Sequence, residues 1–357
     1  MSEPPRVLIT HWVHPEVIAL LEPRCSVIAN PARETWPRER VLELARDCDA
    51  AMMFMPDRVD EAFLAHCPRL RIVAAALKGT DNFDAEACTR RGVWLTRVPD
   101  LLTVPTAELA VGLLIALARR MLEGDDHVRS GAFAGWRPLL YGTGLAGRTL
   151  GLVGLGEVGR AVVNRLAGFD MRFLYTDPRA APREFETAYG LQCVPLEELL
   201  ARSDVVMPLV HLAQDTLHLI GERALAAMKP GACLVNVGRG SVVDEAAVAA
   251  GLASGHLGGY AADVFEMEDW AIEARPRAIH PALLADRGRT FFTPHLGSAV
   301  DGVRRAIALE AAHNVLDALS GRRPRGAINE PPSRRHARVT SDVHAAVDAG
   351  KRSEPCS

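Results

Sequence analysis

The chain has 357 residues, of which 48% are hydrophobic and 24% charged, with a formal net charge of −3. The length exceeds one ordinary domain and sets a prior of about two, with room to bury roughly three quarters of the unfolded surface. So small a charge argues against a nucleic-acid or membrane partner held by bulk electrostatics, and seven scattered cysteines with no Cys-x-x-Cys read as small buried residues of a reduced protein.

The opening "MSEPPRVLIT" has no basic stretch followed by an apolar run, so no signal peptide and a cytoplasmic location are expected. Strands are predicted at "RVLIT" (6–10), "CSVIAN" (25–30), "AAMMFM" (50–55) and "RIVAAAL" (71–77). Helical patterns lie between them at "PEVIALLEP", "RERVLELARDCD" and "DEAFLAHCP", and "AEACTRRGVWLT" repeats the helix-then-strand pattern. Such alternation implies a parallel sheet with helices on its faces. Sheets of that kind bind ligands beyond the carboxyl ends of their strands. Lys78 and Gly79 fall just past "RIVAAAL", and Met55 falls at the end of "AAMMFM". Lysine is rare here: the chain has three, Lys78, Lys229 and Lys351, against thirty-eight arginines. A compact ammonium inside the turn "LKGTDNFD" therefore marks a candidate anion contact.

A second unit begins near Pro99. The apolar stretch "LLTVPTAELAVGLLIALA" is interrupted by Pro105 and Glu108 and reads as a buried helix, continuing through "RRM", not as a membrane span. "RTLGLVGLGEVGRAVVNRLAGFDMRFLYTD" (148–177) then supplies a strand, a Gly-x-Gly-x-x-Gly turn at Gly154, Gly156 and Gly159, a helix, a second strand and Asp177. Gly154 allows the tight turn, Gly156 lets the main chain approach a pyrophosphate, and Gly159 lets the helix pack on the strand. A carboxylate at position 177 suits the ribose hydroxyls of NAD and repels a 2′-phosphate, while Arg179 two residues on leaves some NADP use open. Further strands follow at "SDVVMPLV", "GACLVNVG", "GGYAADV" and "RTFFTPH", and a helix runs through "AVDGVRRAIALEAAHNVLDALSG". Residues 331–357 are polar, lack an apolar stripe and read as a disordered tail.

Arg239, Glu268 and His295 each lie just past a strand of the second unit. Three ionisable groups at the carboxyl ends of one sheet can share a crevice. A carboxylate that orients a histidine, beside an arginine that binds an anion, is an acid–base arrangement. Taken singly, each also reads as an ordinary surface or capping residue.

The order Gly-x-Gly-x-x-Gly, Asp177, "GRGSVVDEAAV", "DVFEMED", "TPHLGS" resembles the D-2-hydroxyacid dehydrogenase family over residues 6–329. The resemblance implies an α/β protein of two doubly wound parallel-sheet domains. A Rossmann NAD domain (99–297) is inserted into a discontinuous flavodoxin-like substrate domain (1–98 and 298–330). It also implies a homodimer, no metal, Arg239, Glu268 and His295 in the catalytic site, and Arg239 also on the substrate. Cofactor contacts are implied at Thr106, Gly154, Gly156, Glu157, Val158, Gly159, Asp177, Val237, Gly238, Asp263 and Gly297. One departure shows: His211, in "VHLAQDT", stands where the family usually has proline.

Several longer stretches, among them "FMPDRVD", "LKGTDNFDAEACTRRGVWLT", "YGTGL" and "GGYAADVFEMEDWA", are similar to those family members that oxidise phosphite to phosphate with NAD. This implies substrate contacts at Lys78, Gly79 and Met55, with Trp136, Tyr141, Ser298 and Arg304 around them. Phosphite is largely a dianion near neutral pH, and a second cation beside Arg239 suits it. The alternative expectations are an NAD-dependent D-2-hydroxyacid or 2-ketoacid dehydrogenase, or an NAD(H)-sensing corepressor-like binding protein.

Overall fold

The computed structural model describes residues 3–332, so the expectation of a disordered tail lies almost wholly outside the described residues. The described chain divides into two compact units, one of residues 3–99 with 305–332 and one of residues 100–304. The sequence reading starts the return to the first unit at 298. The structure carries the second unit on to Arg304, four residues into the helix Asp301–Leu319.

The first unit holds five parallel strands: β1 (Arg6–Ile9), β2 (Ser26–Ala29), β3 (Ala50–Met53), β4 (Ile72–Ala75) and β5 (Trp94–Thr96), in the order β2-β1-β3-β4-β5. β3 and β4 are buried at every position, as expected of central strands covered on both faces. Strand order reverses at β1, so the crevice favoured for ligands opens beyond β1 and β3. Asp60 and Asp84 cap the two helices that follow β3 and β4, accepting from the main-chain N–H of Phe63 and Ala87. Four of the cysteines, Cys25, Cys48, Cys67 and Cys88, are free and buried here, and burial pushes the Cys67 and Cys88 thiols up to about 12. From the far end of the chain, Ile307, Ala311 and Val315 of the helix Asp301–Leu319 are buried at the four-residue spacing seen in the sequence.

The second unit holds seven parallel strands: β6 (Thr149–Val153), β7 (Arg172–Thr176), β8 (Gln192–Cys193), β9 (Val205–Pro208), β10 (Ala232–Asn236), β11 (Leu257–Ala262) and β12 (Thr290–Phe292). Their order is β12-β11-β10-β9-β6-β7-β8, and the direction of winding reverses between β6 and β9. The long apolar segment forms the helix Thr103–Ala118, not the unbroken helix the sequence suggests. It stops at Arg119, and Arg120 takes left-handed backbone angles (φ 53°) before a second helix, Met121–Arg129, begins. Among the described residues no helix is long and apolar enough to cross a membrane.

Candidate active site

The glycine-rich turn follows β6, at the point where the second sheet reverses. Gly154 has φ 98°, and a Cβ there would lie 3.1 Å from the main chain of Leu209 beyond β9. A Cβ on Gly159 would lie 2.9 Å from the Gly154 carbonyl oxygen, so the helix Glu157–Leu166 can approach the turn only with glycine at that position. Gly156, by contrast, would place its Cβ in open space. Beside the start of a ten-residue helix, this is room a diphosphate can fill. Asp177 closes the turn: its carboxylate accepts from Leu155 N–H and Arg179 N–H, both at 2.9 Å. Val158 is half-buried in the first turn, Glu157 exposed beside it and Val237 buried after β10. These residues fit a dinucleotide.

Three loops of the same sheet carry the ionisable set. Arg239 follows β10, is half-buried, and donates from Nη1 to the Gly238 carbonyl at 3.0 Å. Asn236 braces this loop from both sides, accepting from Gly238 N–H and donating to the Arg239 carbonyl. Glu268 follows β11 in a short 3-10 turn, where its Oε1 accepts from Phe265 N–H at 2.9 Å. Its Oε2 lies 2.6 Å from Nδ1 of His295. Glu268 is thus held at one oxygen and holds the imidazole with the other. With Nδ1–H donating to the carboxylate, Nε2 is left to give or take a proton.

His295 itself has φ 56°, a conformation costly for a residue with a side chain. Asp263 holds it there. The Asp263 carbonyl accepts from His295 N–H at 2.8 Å, and its carboxylate accepts from Thr293 Oγ1, Leu296 N–H and Gly297 N–H at 2.6, 2.6 and 2.8 Å. Burial pushes the Asp263 carboxyl above its ordinary range, against those three bonds. A Cβ on Gly297 would meet Thr106 Oγ1 at 3.1 Å and Asp263 at 3.3 Å, so Thr106, Asp263 and Gly297 adjoin.

In the first unit, Lys78 and Gly79 form a half-buried turn three and four residues past β4, and Met55 sits two residues past β3. Buried Asn82 ties the two turns together: its side chain donates to the Met55 carbonyl at 2.9 Å, and its own carbonyl accepts from Val59 N–H at 3.0 Å. Both turns therefore sit at the carboxyl end of the first sheet.

The pattern for the NAD-binding domain of the D-isomer specific 2-hydroxyacid dehydrogenases matches residues 111–297. The chain belongs to that family. A glyoxylate reductase of Thermococcus gammatolerans is 39% identical over 331 residues, covering 91% of this chain and 96% of the relative. The glyoxylate reductase of Pyrococcus furiosus is 38% identical over 331 residues, with the same two shares. A crystal structure of a Thermus thermophilus protein superposes with a TM-score of 0.82 at 34% identity, covering 90% of this chain and 99% of that one. An NADPH-dependent glyoxylate/hydroxypyruvate reductase from Sinorhizobium meliloti, in complex with NADP and malonate, has a TM-score of 0.76 at 28% identity, with 91% and 97% covered.

As in that family, the second unit is an NAD-binding domain. Two residues expected around the substrate lie elsewhere within their own unit. Tyr141 lines a cavity of about 520 Å³ with Arg148, Val205, Ala232 and Gly258. Those four mark the amino ends of β6, β9, β10 and β11, the opposite end of the sheet from His295. Trp136, in the same irregular segment, is 82% exposed. Ser298 and Arg304 are adjacent at 3.4 Å, after the His295 loop. At His211 the missing proline is replaced by hydrogen bonding: Thr216 Oγ1 donates to the His211 carbonyl at 2.6 Å and accepts from Ala213 N–H at 2.8 Å. Sequence reasoning missed Asn82, Glu245, Glu266 and Asp269; its only signal for the last three was acids crowded into "VVDEAA" and "FEMED".

Proposed function

We propose that this NAD-dependent oxidoreductase converts phosphite to phosphate. The reading rests on Lys78, a lysine in an arginine-rich chain, in the turn past β4 at the carboxyl end of the first sheet. With Arg239 it supplies two cations to a dianion of three oxygens, where the single carboxylate of a 2-hydroxy acid needs one. NAD, when bound, supplies the acceptor for the hydride that leaves phosphorus. His295, held through Nδ1 by Glu268, takes the proton from the water whose oxygen forms the new P–O bond.

A second reading is the reduction of a small 2-keto acid such as glyoxylate, with His295 giving the proton to the carbonyl oxygen. The names of the relatives favour this second reading over the first; Lys78 favours the first. A purely NAD(H)-sensing role has less support, since His295, Glu268 and Arg239 form an acid–base set. Absorbance of NADH decides between these readings. Purified protein is mixed with NAD and phosphite, with NAD and glycolate, and with NADH and glyoxylate. Faster turnover with the organic acids than with phosphite refutes the first reading, and no turnover with any of them favours the sensor.

We also propose a homodimer. Val128, Phe133, Trp136 and Tyr141 present large exposed apolar side chains within fourteen residues of the second unit, which a second copy can cover. Light scattering at the mass of one chain would refute this.

A further inference from the structure

Arg239 and Glu268 stand on different loops, and buried carboxylates of other residues join those loops. Glu245 N–H donates to Oε1 of Glu266 at 2.9 Å, and Glu266 N–H donates to Oε1 of Glu245 at 2.9 Å. Each carboxylate thus closes on the other residue's main chain, and both residues are buried, 3% and 6% exposed. A second tie lies between this clasp and the site: Ser241 N–H donates to Oδ2 of buried Asp269 at 2.7 Å. The fit between the loops is steric as well. A Cβ on Gly240 would fall 1.9 Å from the carbonyl carbon of Phe265, so only glycine lets the residue after Arg239 lie on the turn that carries Glu268.

The outer oxygens of the clasp are also engaged. Oε2 of Glu245 accepts from His280 N–H at 3.1 Å. Oε2 of Glu266 lies 2.8 Å from Nε2 of His218, whose own N–H donates to the Ser241 carbonyl at 2.8 Å. The loops after β9, β10 and β11 therefore meet on two carboxylates. Burying two acids side by side costs free energy that an apolar pair of like volume would not. Glu245 shows it: burial raises its carboxyl, opposed by the amide bonds from Glu266 and His280. What the arrangement returns is direction, because each carboxylate accepts bonds at set angles from a loop that bears a reacting group.

We propose that Glu245 and Glu266 are positioning residues, whose reciprocal clasp holds the Arg239 guanidinium and the Glu268–His295 pair in register. The inference rests on those three groups being the reacting set, and not on which substrate they turn over. The clasp joins the loops after β10 and β11, which carry the expected cofactor contacts Val237, Gly238 and Asp263 but neither the glycine-rich turn nor Asp177, so it should act more on substrate and proton transfer than on the dinucleotide.

The test uses the full chain, with NAD for phosphite turnover and NADH for glyoxylate turnover. In Glu266→Ala the Glu245 amide loses its acceptor, while in Glu266→Gln a carbonyl oxygen still accepts it. For Glu266→Ala, kcat should fall and KM rise with whichever of phosphite or glyoxylate the parent turns over. The combined loss in kcat/KM should be at least about tenfold, with NADH affinity from fluorescence titration within about twofold. Glu266→Gln should recover most of the loss. A substrate-free readout is the proton on His295 Nδ1, shared with Glu268 across 2.6 Å and assigned in proton NMR by its disappearance in His295→Gln. It should shift or broaden in Glu266→Ala. Parental kcat, KM and resonance in a folded Glu266→Ala overturn the proposal, as does a lower Tm with unchanged constants per NADH-binding site. If Glu266→Ala does not fold, Glu266→Asp, one methylene shorter with the charge kept, should show the same losses, and parental behaviour there overturns it equally. If the parent turns over neither substrate, the functional reading fails while the resonance still decides the clasp.

Discussion

Asp57 is a buried acid of the first unit, in the turn that follows β3 and carries Met55. It is 7% exposed, and its Oδ2 accepts from Thr10 Oγ1 at 2.5 Å and from Phe54 N–H at 2.7 Å. Burial raises its carboxyl from an ordinary 3.8 to about 6, although both hydrogen bonds and the charge of Arg38 pull the other way. Between those two values the native state keeps a proton that the unfolded chain has released. The native state then binds more protons, so stability falls as pH rises through the window and stays at the lower level above it. At about 1.4 kcal/mol per pH unit, the loss is about 3 kcal/mol. Asp57→Asn keeps an oxygen to accept both bonds and removes the charge. The variant should be more stable than the parent by up to about 3 kcal/mol at pH 8, with the gap closing towards pH 4. Hydrogen exchange of the β3 and β4 amides in rising urea reads the first unit by itself, and the difference between parent and variant cancels the other titrating groups. A gap that does not change with pH, or a variant less stable than the parent at pH 8, would refute the reasoning.

Lys78→Ala should cost about 1.5–3 kcal/mol of phosphite binding, a ten- to hundredfold loss in kcat/KM with NAD affinity unchanged, and Lys78→Arg should recover only part of it; unchanged phosphite kinetics in Lys78→Ala would sink its assigned role. Asp177→Ala removes the carboxylate that repels a 2′-phosphate and also the acceptor for Leu155 N–H. It should raise KM for NAD while raising the ratio of NADP to NAD in kcat/KM, and steady-state kinetics with both cofactors would show an unchanged ratio if the assignment is wrong. Gly240→Ala must move the main chain of Phe265 by more than an ångström. It should cost about 1–3 kcal/mol in urea melts together with most of the activity; parental activity would mean that the two loops need not touch.

Much of the fold is legible in the sequence because its signals are local. Strand–helix alternation states a parallel sheet, and the spacing of Gly154, Gly156 and Gly159 states a phosphate turn, since the positive φ of Gly154 and the 2.9 Å approach of a Gly159 Cβ to the Gly154 carbonyl oxygen are demands within six residues of chain. Less local features escaped. β8 is two residues long and exists because β7 is there to pair with it. The break at Arg120 has no glycine or proline to announce it; its guanidinium pairs with Glu123 in the next helix at 2.6 Å.

Within the site, residue type and position past a strand single out Arg239, Glu268 and His295 as candidates, and they single out Lys78 and Met55 in the other unit. Position past a strand does not by itself separate Glu268 from its neighbours Glu266 and Asp269. The tertiary structure separates them. A 3-10 turn over Glu266–Glu268 sends Glu268 to His295, turns Glu266 into Glu245, and leaves Asp269 for Ser241. Likewise Tyr141 looks like a site residue by resemblance but lies at the amino ends of the strands, because its segment packs where Gly142 crosses the end of the helix Thr103–Ala118. A sequence specifies the chemistry each side chain can do and the element it stands on. Where three acids within four positions point depends on the register of distant loops, here set by a glycine twenty-five residues away lying against Phe265, and that is decided only when the whole chain packs.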